Sequence, residues 1–120
     1  TICAAGPTVY TALDAAATLE AEGVAAEVID LRSLSPWDKE TVLESVAKTG
    51  RFIAVDESFP TCSAASEWAA TVAEEAFHQL RAPVQRVTNK DVPMPFSPVL
   101  EKAVLPSQAD VIAAVHKTLA

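Results

Sequence analysis

Two rhythms of apolar residues alternate along this chain, one of short continuous runs and one with helical spacing. Residues 1–5, Thr1-Ile-Cys-Ala-Ala5, form an apolar run closed by Gly6-Pro7, a turn signal. Val9, Leu13 and Ala16 then recur at helical spacing with Leu19 close to the same face, and Gly23 ends the predicted helix. Residues 25–30 predict a second strand that carries a carboxylate, Asp30, at its C-terminal end. Ser35-Pro36-Trp37-Asp38 has the form of a helix start, with Ser as N-cap and Pro in the first helical position. Val42, Leu43 and Val46 give that helix its buried stripe, and Gly50 closes it.

The second half repeats the scheme. Phe52-Ile-Ala-Val55 predicts a strand buried on both faces, followed by Asp56-Glu57. A loop with Pro60 leads to a helix over 64–80, in which Trp68, Val72, Ala76 and Leu80 share one side. Residues 84–87 predict a fourth strand. The four prolines at 93, 95, 98 and 106 predict extended surface chain with one helical turn near 99–102. A last helix is expected from Ser107, its N-cap, to about Leu119, packing through Val111, Ile112, Val115 and Leu119. Strands separated by helices of this length imply right-handed crossovers and a parallel sheet covered on both faces, an α/β protein of three layers, α/β/α.

Composition narrows the functional classes. The 120 residues, half of them hydrophobic and 21% charged, fit one globular domain over 1–120. A net charge of −7 leaves no basic stripe to offset phosphate repulsion, so nucleic acid is not an expected partner. No apolar run approaches the roughly 18 residues that cross a bilayer and no signal peptide is visible, so a cytoplasmic protein without membrane attachment is expected. The chain opens without Met inside a strand-like run, so a piece of a longer protein is expected. Cys3 and Cys62, 59 positions apart with no Cys/His cluster, read as two buried reduced thiols rather than a metal site.

The candidate chemistry is sparse. Ligands of open parallel sheets bind beyond the carboxyl ends of the strands, and Asp30, Asp56 and Glu57 lie there. Such acids also cap turns or pair with nearby cations, here Arg32 or Arg51. Gly6 followed by Pro7 is no dinucleotide fingerprint, since Pro7 lacks a backbone donor that a phosphate would need. His78 and His116 fall late on helices, as surface histidines favoured by the helix dipole do. Cys62 precedes a helix N-terminus with no evident base beside it. These residues make no self-sufficient active site.

Longer motifs carry more. Val28-Ile-Asp-Leu-Arg-Ser-Leu-Ser-Pro-Trp-Asp38 resembles the D-L-R-T-L-x-P-x-D segment of the β subunits of thiamine-diphosphate-dependent 2-oxo-acid and acetoin dehydrogenases. Ser45-Val-Ala-Lys-Thr-Gly-Arg51, Val55-Asp-Glu57, Ala73-Glu-Glu-Ala-Phe77 and Ala82-Pro-Val-Gln-Arg-Val87 follow in the family's order. Asp91-Val-Pro-Met-Pro-Phe96, Leu100-Glu101 and Leu105-Pro106 complete a resemblance that spans essentially the whole chain. Where many members carry a glycine-rich stretch, this chain has Cys62-Ser-Ala-Ala-Ser-Glu67, which resembles the acetoin branch. Arg81 stands where many relatives carry an acid.

The resemblance implies a transketolase C-terminal-like domain whose N-terminal pyrimidine-binding partner domain lies outside this chain. It implies four parallel strands in the order 2-1-3-4, retained from a mixed sheet of five whose antiparallel strand precedes the chain. It also implies no catalytic, cofactor or metal ligand here: thiamine diphosphate and Mg2+ would be held elsewhere in the parent enzyme. The implied partners are the remainder of the E1 β subunit, the E1 α subunit in a tetramer of two α and two β subunits, and the small basic binding domain of the E2 acyltransferase. Arg32 is the candidate for pairing with a carboxylate across a subunit boundary, against an internal pair with Asp30 or Asp38. A free-standing flavodoxin-like small-molecule-binding module is the competing reading.

Overall fold

A computed structural model describes all residues, 1–120. Four short strands form one sheet: β1 (Ile2–Ala4), β2 (Val28–Asp30), β3 (Ile53–Val55) and β4 (Gln85–Val87). All neighbours are parallel and the order is β2-β1-β3-β4, as expected; no fifth strand is part of the sheet. Helices α1 (Thr8–Ala21), α2 (Lys39–Thr49), α3 (Ala64–Glu75), α4 (Pro98–Val104) and α5 (Gln108–Leu119) connect and cover it.

Strand alternation divides the interior into two cores. Ile2, Ala4, Ile53, Val55 and Val87 face α1 and α5, where Ala12, Ala15, Leu19, Val111 and Val115 meet them. Cys3, Phe52 and Ala54 face α2 and α3, where Val42, Val46, Trp68 and Val72 close the second core. Burying both faces of β1 and β3 explains why those strands read as continuous apolar runs.

Several local expectations are corrected. The buried face of α1 is Thr8, Ala12, Ala15 and Leu19, one residue around from the expected Val9, Leu13 and Ala16 stripe. Alanines let α1 lie close to the sheet, and the Thr8 hydroxyl donates to the carbonyls of Ala5 and Val55, at 2.7 and 3.2 Å. Helix α2 starts after Asp38, not Ser35. The Asp38 carboxylate accepts from both the Thr41 amide, at 3.1 Å, and its hydroxyl, at 2.7 Å, two bonds where a serine oxygen supplies one. Helix α3 stops at Glu75 and a 3-10 turn covers Phe77–Gln79, so that Leu80 reaches the second core and the Arg81 amide bonds Gly50.

The expected single turn near 99–102 is the longer α4, with Pro98 in its first turn. Ser107 caps α5 as expected and forms a capping box with Asp110, but Ala114 and Thr118 are buried while Leu119 is exposed. Cys3 is buried; Cys62 is exposed, because its left-handed backbone (φ 53°) turns it outward just before Ser63 caps α3.

Candidate functional site

The carboxyl ends of the four strands lie on one rim of the sheet, where Asp30 ends β2, Arg32 follows it, and Asp56 and Glu57 directly follow β3. Gly6 (φ 59°) makes the turn from β1 into α1, a left-handed position that glycine adopts without penalty. At the end of β2 the Arg32 Nε–H donates to Asp30 Oδ2 at 3.0 Å. The Arg32 side chain is 86% exposed, so this pair adds little to stability and leaves the other guanidinium N–H groups facing solvent. Beside it an open groove of about 660 Å3 runs between Pro7, Tyr10 and Leu13 on one wall and Asp30, Leu31 and Arg32 on the other.

The end of β3 is built differently. Ser58 donates its hydroxyl to the Asp56 carboxylate, while the Glu57 side chain is exposed. Asn89, buried just past β4, donates its amide N–H to the Ser58 carbonyl at 3.0 Å and its side-chain Nδ2 to the Glu57 carbonyl at 3.1 Å. Arg86 adds bonds of 2.6 Å to the Pro60 carbonyl and to Ser66 Oγ. The loop that replaces the glycine-rich segment is thus fastened to β4 by two side chains, and it presents Glu57, Phe59 and Cys62 outward.

The structure therefore pairs Asp30 with Arg32 and Asp56 with Ser58 but does not bring the two aspartates together. Asp30 is level with Ala4, which is level with Val55, so β1 intervenes and the backbones of β2 and β3 that carry the two acids are two strand spacings apart, about 10 Å. No three His, Cys, Asp or Glu side chains are grouped to hold a metal ion. His78 and His116 lie elsewhere on the surface, and His116 Nε2 bonds Glu22 at 2.7 Å.

Reading the sequence missed the exposed apolar side chains. Tyr10 is 74% exposed and Leu13 stands beside it on α1. Val92, Met94, Phe96, Val99 and Leu100 form a second run, with Phe96 fully exposed. The missed signal for the first is a large aromatic among alanines, Tyr10 in Thr8–Ala17. For the second it is apolar residues interleaved with Pro93, Pro95 and Pro98, which keep 92–96 out of helix and strand and leave Val99 and Leu100 on the short, exposed first turn of α4. No helix is long and apolar enough to cross a membrane.

The fold defines the class: a three-layer α/β/α domain around a four-stranded parallel sheet in the order β2-β1-β3-β4. The family model of the transketolase C-terminal domain matches residues 1–111, and the chain belongs to that family. It is 50% identical over 114 residues to the acetoin:2,6-dichlorophenolindophenol oxidoreductase subunit beta of Cupriavidus necator, covering 95% of this chain and 34% of the relative. The subunit of that name from Bacillus subtilis is 45% identical over 119 residues, covering 99% of this chain and 35% of the relative. The pyruvate dehydrogenase E1 component subunit beta of Rhizobium meliloti is 49% identical over 104 residues, 87% of this chain and 23% of the relative. Among solved structures, a split-gene transketolase described as an inactive beta4 tetramer superposes with a TM-score of 0.83 at 37% identity. That match covers 98% of this chain and 37% of the other. The chain thus spans about a third or less of the length of these relatives.

Proposed function

We propose that this chain is the non-catalytic assembly and docking domain of the β subunit of a thiamine-diphosphate-dependent dehydrogenase that acts in the cytoplasm. The observation that carries the reading is exposed apolar surface on a domain of this family. Phe96 is fully exposed and Tyr10 nearly three-quarters so, and clusters of this kind are normally covered by a partner surface. The partners are the remainder of the β subunit, the α subunit, and the basic binding domain of the acyltransferase, for which a net charge of −7 is the complement. Self-association of β chains is supported by the solved relative described as a tetramer of them. The antiparallel fifth strand belongs to the remainder of the β subunit.

Thiamine diphosphate and Mg2+ belong to the parent enzyme, outside this domain. The rim does not fit them: its aspartates stand two strands apart, each with its own neighbour, and Pro7 removes a donor where a diphosphate would need one. Acetoin is the substrate we favour, from the Cys62-Ser63 form of the loop and the two acetoin relatives. At 49% identity the pyruvate subunit matches almost as well, so residues elsewhere in the parent choose between them. Arg32 makes the internal pair with Asp30, the alternative to a cross-boundary role, and we propose that its remaining exposed guanidinium N–H groups meet a carboxylate of a neighbouring subunit.

The test is a chimaera in which this chain replaces the matching 114 residues of the Cupriavidus necator subunit. Assembly with the α subunit and acetoin-dependent dye reduction are expected to survive, and Phe96→Asp with Tyr10→Asp to disrupt assembly. Unaltered assembly in that double variant would refute the docking role.

A further inference from the structure

β4 is an outer strand of the sheet and pairs only with β3. The Gln85 N–H donates to the Phe52 carbonyl at 3.0 Å, and the Val87 carbonyl accepts from the Asp56 N–H at 3.1 Å. Residues 85 and 87 therefore face β3, and the alternation of a parallel strand turns the N–H and C=O of Arg86 to the open side. Thr88, the next outward position, uses neither its N–H nor its C=O in a backbone hydrogen bond. Two donors and two acceptors are left at the spacing of a strand edge, a template for a further strand.

A cavity of about 280 Å3 opens along this edge, between β4 on one side and Val104, Leu105 and the Ala113–Ala114 face of α5 on the other. Lys90 and Lys117 stand on its border, and neither takes part in a salt bridge. Asp110, the one acid there, is committed to the capping box with Ser107. In a chain of 16 acids and 9 Lys or Arg, this groove reverses the prevailing charge. The Arg86 guanidinium takes no part, since it is bonded to Pro60 and Ser66.

The geometry points to a docking groove for one kind of partner: an extended acidic peptide segment that adds as a strand along β4. Its backbone meets the free groups of Arg86 and Thr88, its carboxylates reach Lys90 and Lys117, and its small apolar side chains rest on the Val104–Leu105 and Ala113–Ala114 floor. Strand addition of this type takes affinity from main-chain bonds and selectivity from alternate side chains. The surface is distinct from the exposed runs around Tyr10 and Phe96, and the inference does not depend on the identity of the parent enzyme.

The test titrates the full chain with a fluorescent peptide of alternating Glu and Val and follows amide hydrogen exchange. Saturable binding is expected, with slowed exchange at Arg86 and Thr88. The exposed pair Lys90→Glu and Lys117→Glu is expected to weaken binding by about tenfold or more. The same peptide with alternate backbone amides N-methylated keeps its charge but cannot pair as a strand, and binding is expected to be lost. Absence of binding, equal binding by the methylated peptide, or protection confined to other elements would each overturn the proposal.

Discussion

Arg81 lies across Gly50: the Arg81 N–H donates to the Gly50 carbonyl at 2.8 Å, and a Cβ built on Gly50 would meet Arg81 Cγ and Cδ at 2.9 Å. Gly50 also ends α2 in the left-handed region (φ 69°) while its N–H still bonds the Val46 carbonyl. This one residue therefore terminates a helix, accepts the chain leaving α3 and makes room for a long side chain. Gly50→Ala is expected to cost about 1–2 kcal/mol, mainly for left-handed backbone with a side chain. In an Arg81→Ala background the steric share disappears and the cost falls, which urea unfolding of the four proteins would measure. An unchanged midpoint in Gly50→Ala would contradict this.

Glu27 fastens the start of β2 to α2. Lys48 Nζ donates to its Oε1 at 2.8 Å, and the buried Ser45 hydroxyl donates to Oε2. The Lys48 bond, then the Ser45 bond, holds the carboxyl below its ordinary range. A carboxyl depressed on folding stabilises the fold fully above its unfolded pKa, about 4.3, and loses that contribution as pH falls through the folded value. Glu27→Gln is therefore expected to be less stable than the parent chain at pH 7, with the gap narrowing in acid. Denaturant midpoints at several pH values would read it, and a gap independent of pH would count against the assignment.

The two thiols are expected to separate cleanly. Burial with no compensating partner pushes the Cys3 thiol upward, whereas Cys62 is exposed in the loop ahead of α3. Thiolate is the reactive form, so a disulfide reagent at mildly alkaline pH should titrate one thiol rapidly and the second only on unfolding. Cys62→Ser should remove the rapid phase. A rapid phase that persists in that variant would mean the second core is open around Cys3.

The layered fold was legible because β1 and β3 lie between two layers of helices and so read as unbroken apolar runs. Caps with a geometric requirement, Gly50 and Ser107, were legible for the same kind of reason. The face of α1 was not. Thr8–Ala17 holds apolar residues all round, and close packing against the sheet selects its alanines, which a hydrophobicity pattern ranks below Leu13 and Tyr10. The start of α2 was misplaced because Ser35-Pro36 and Asp38 both have the form of a cap, and only the second bond to Thr41 decides between them. At the rim, the sequence located Asp30, Arg32, Asp56 and Glu57 but not their separation, which depends on β1 lying between β2 and β3. Asn89 and Arg86, which hold the loop after β3, are ordinary polar residues until tertiary contact gives them partners.

The central claim, a docking domain separate from the catalytic centre, is tested most directly by calorimetric titration of this chain. Thiamine diphosphate with Mg2+ is added first, and the basic binding domain of the acyltransferase second. The account predicts no saturable heat from the cofactor and a salt-sensitive 1:1 or 2:1 association with the basic domain. Saturable binding of thiamine diphosphate with no response to the basic domain would contradict it, placing cofactor chemistry on the rim that carries Asp30 and Asp56.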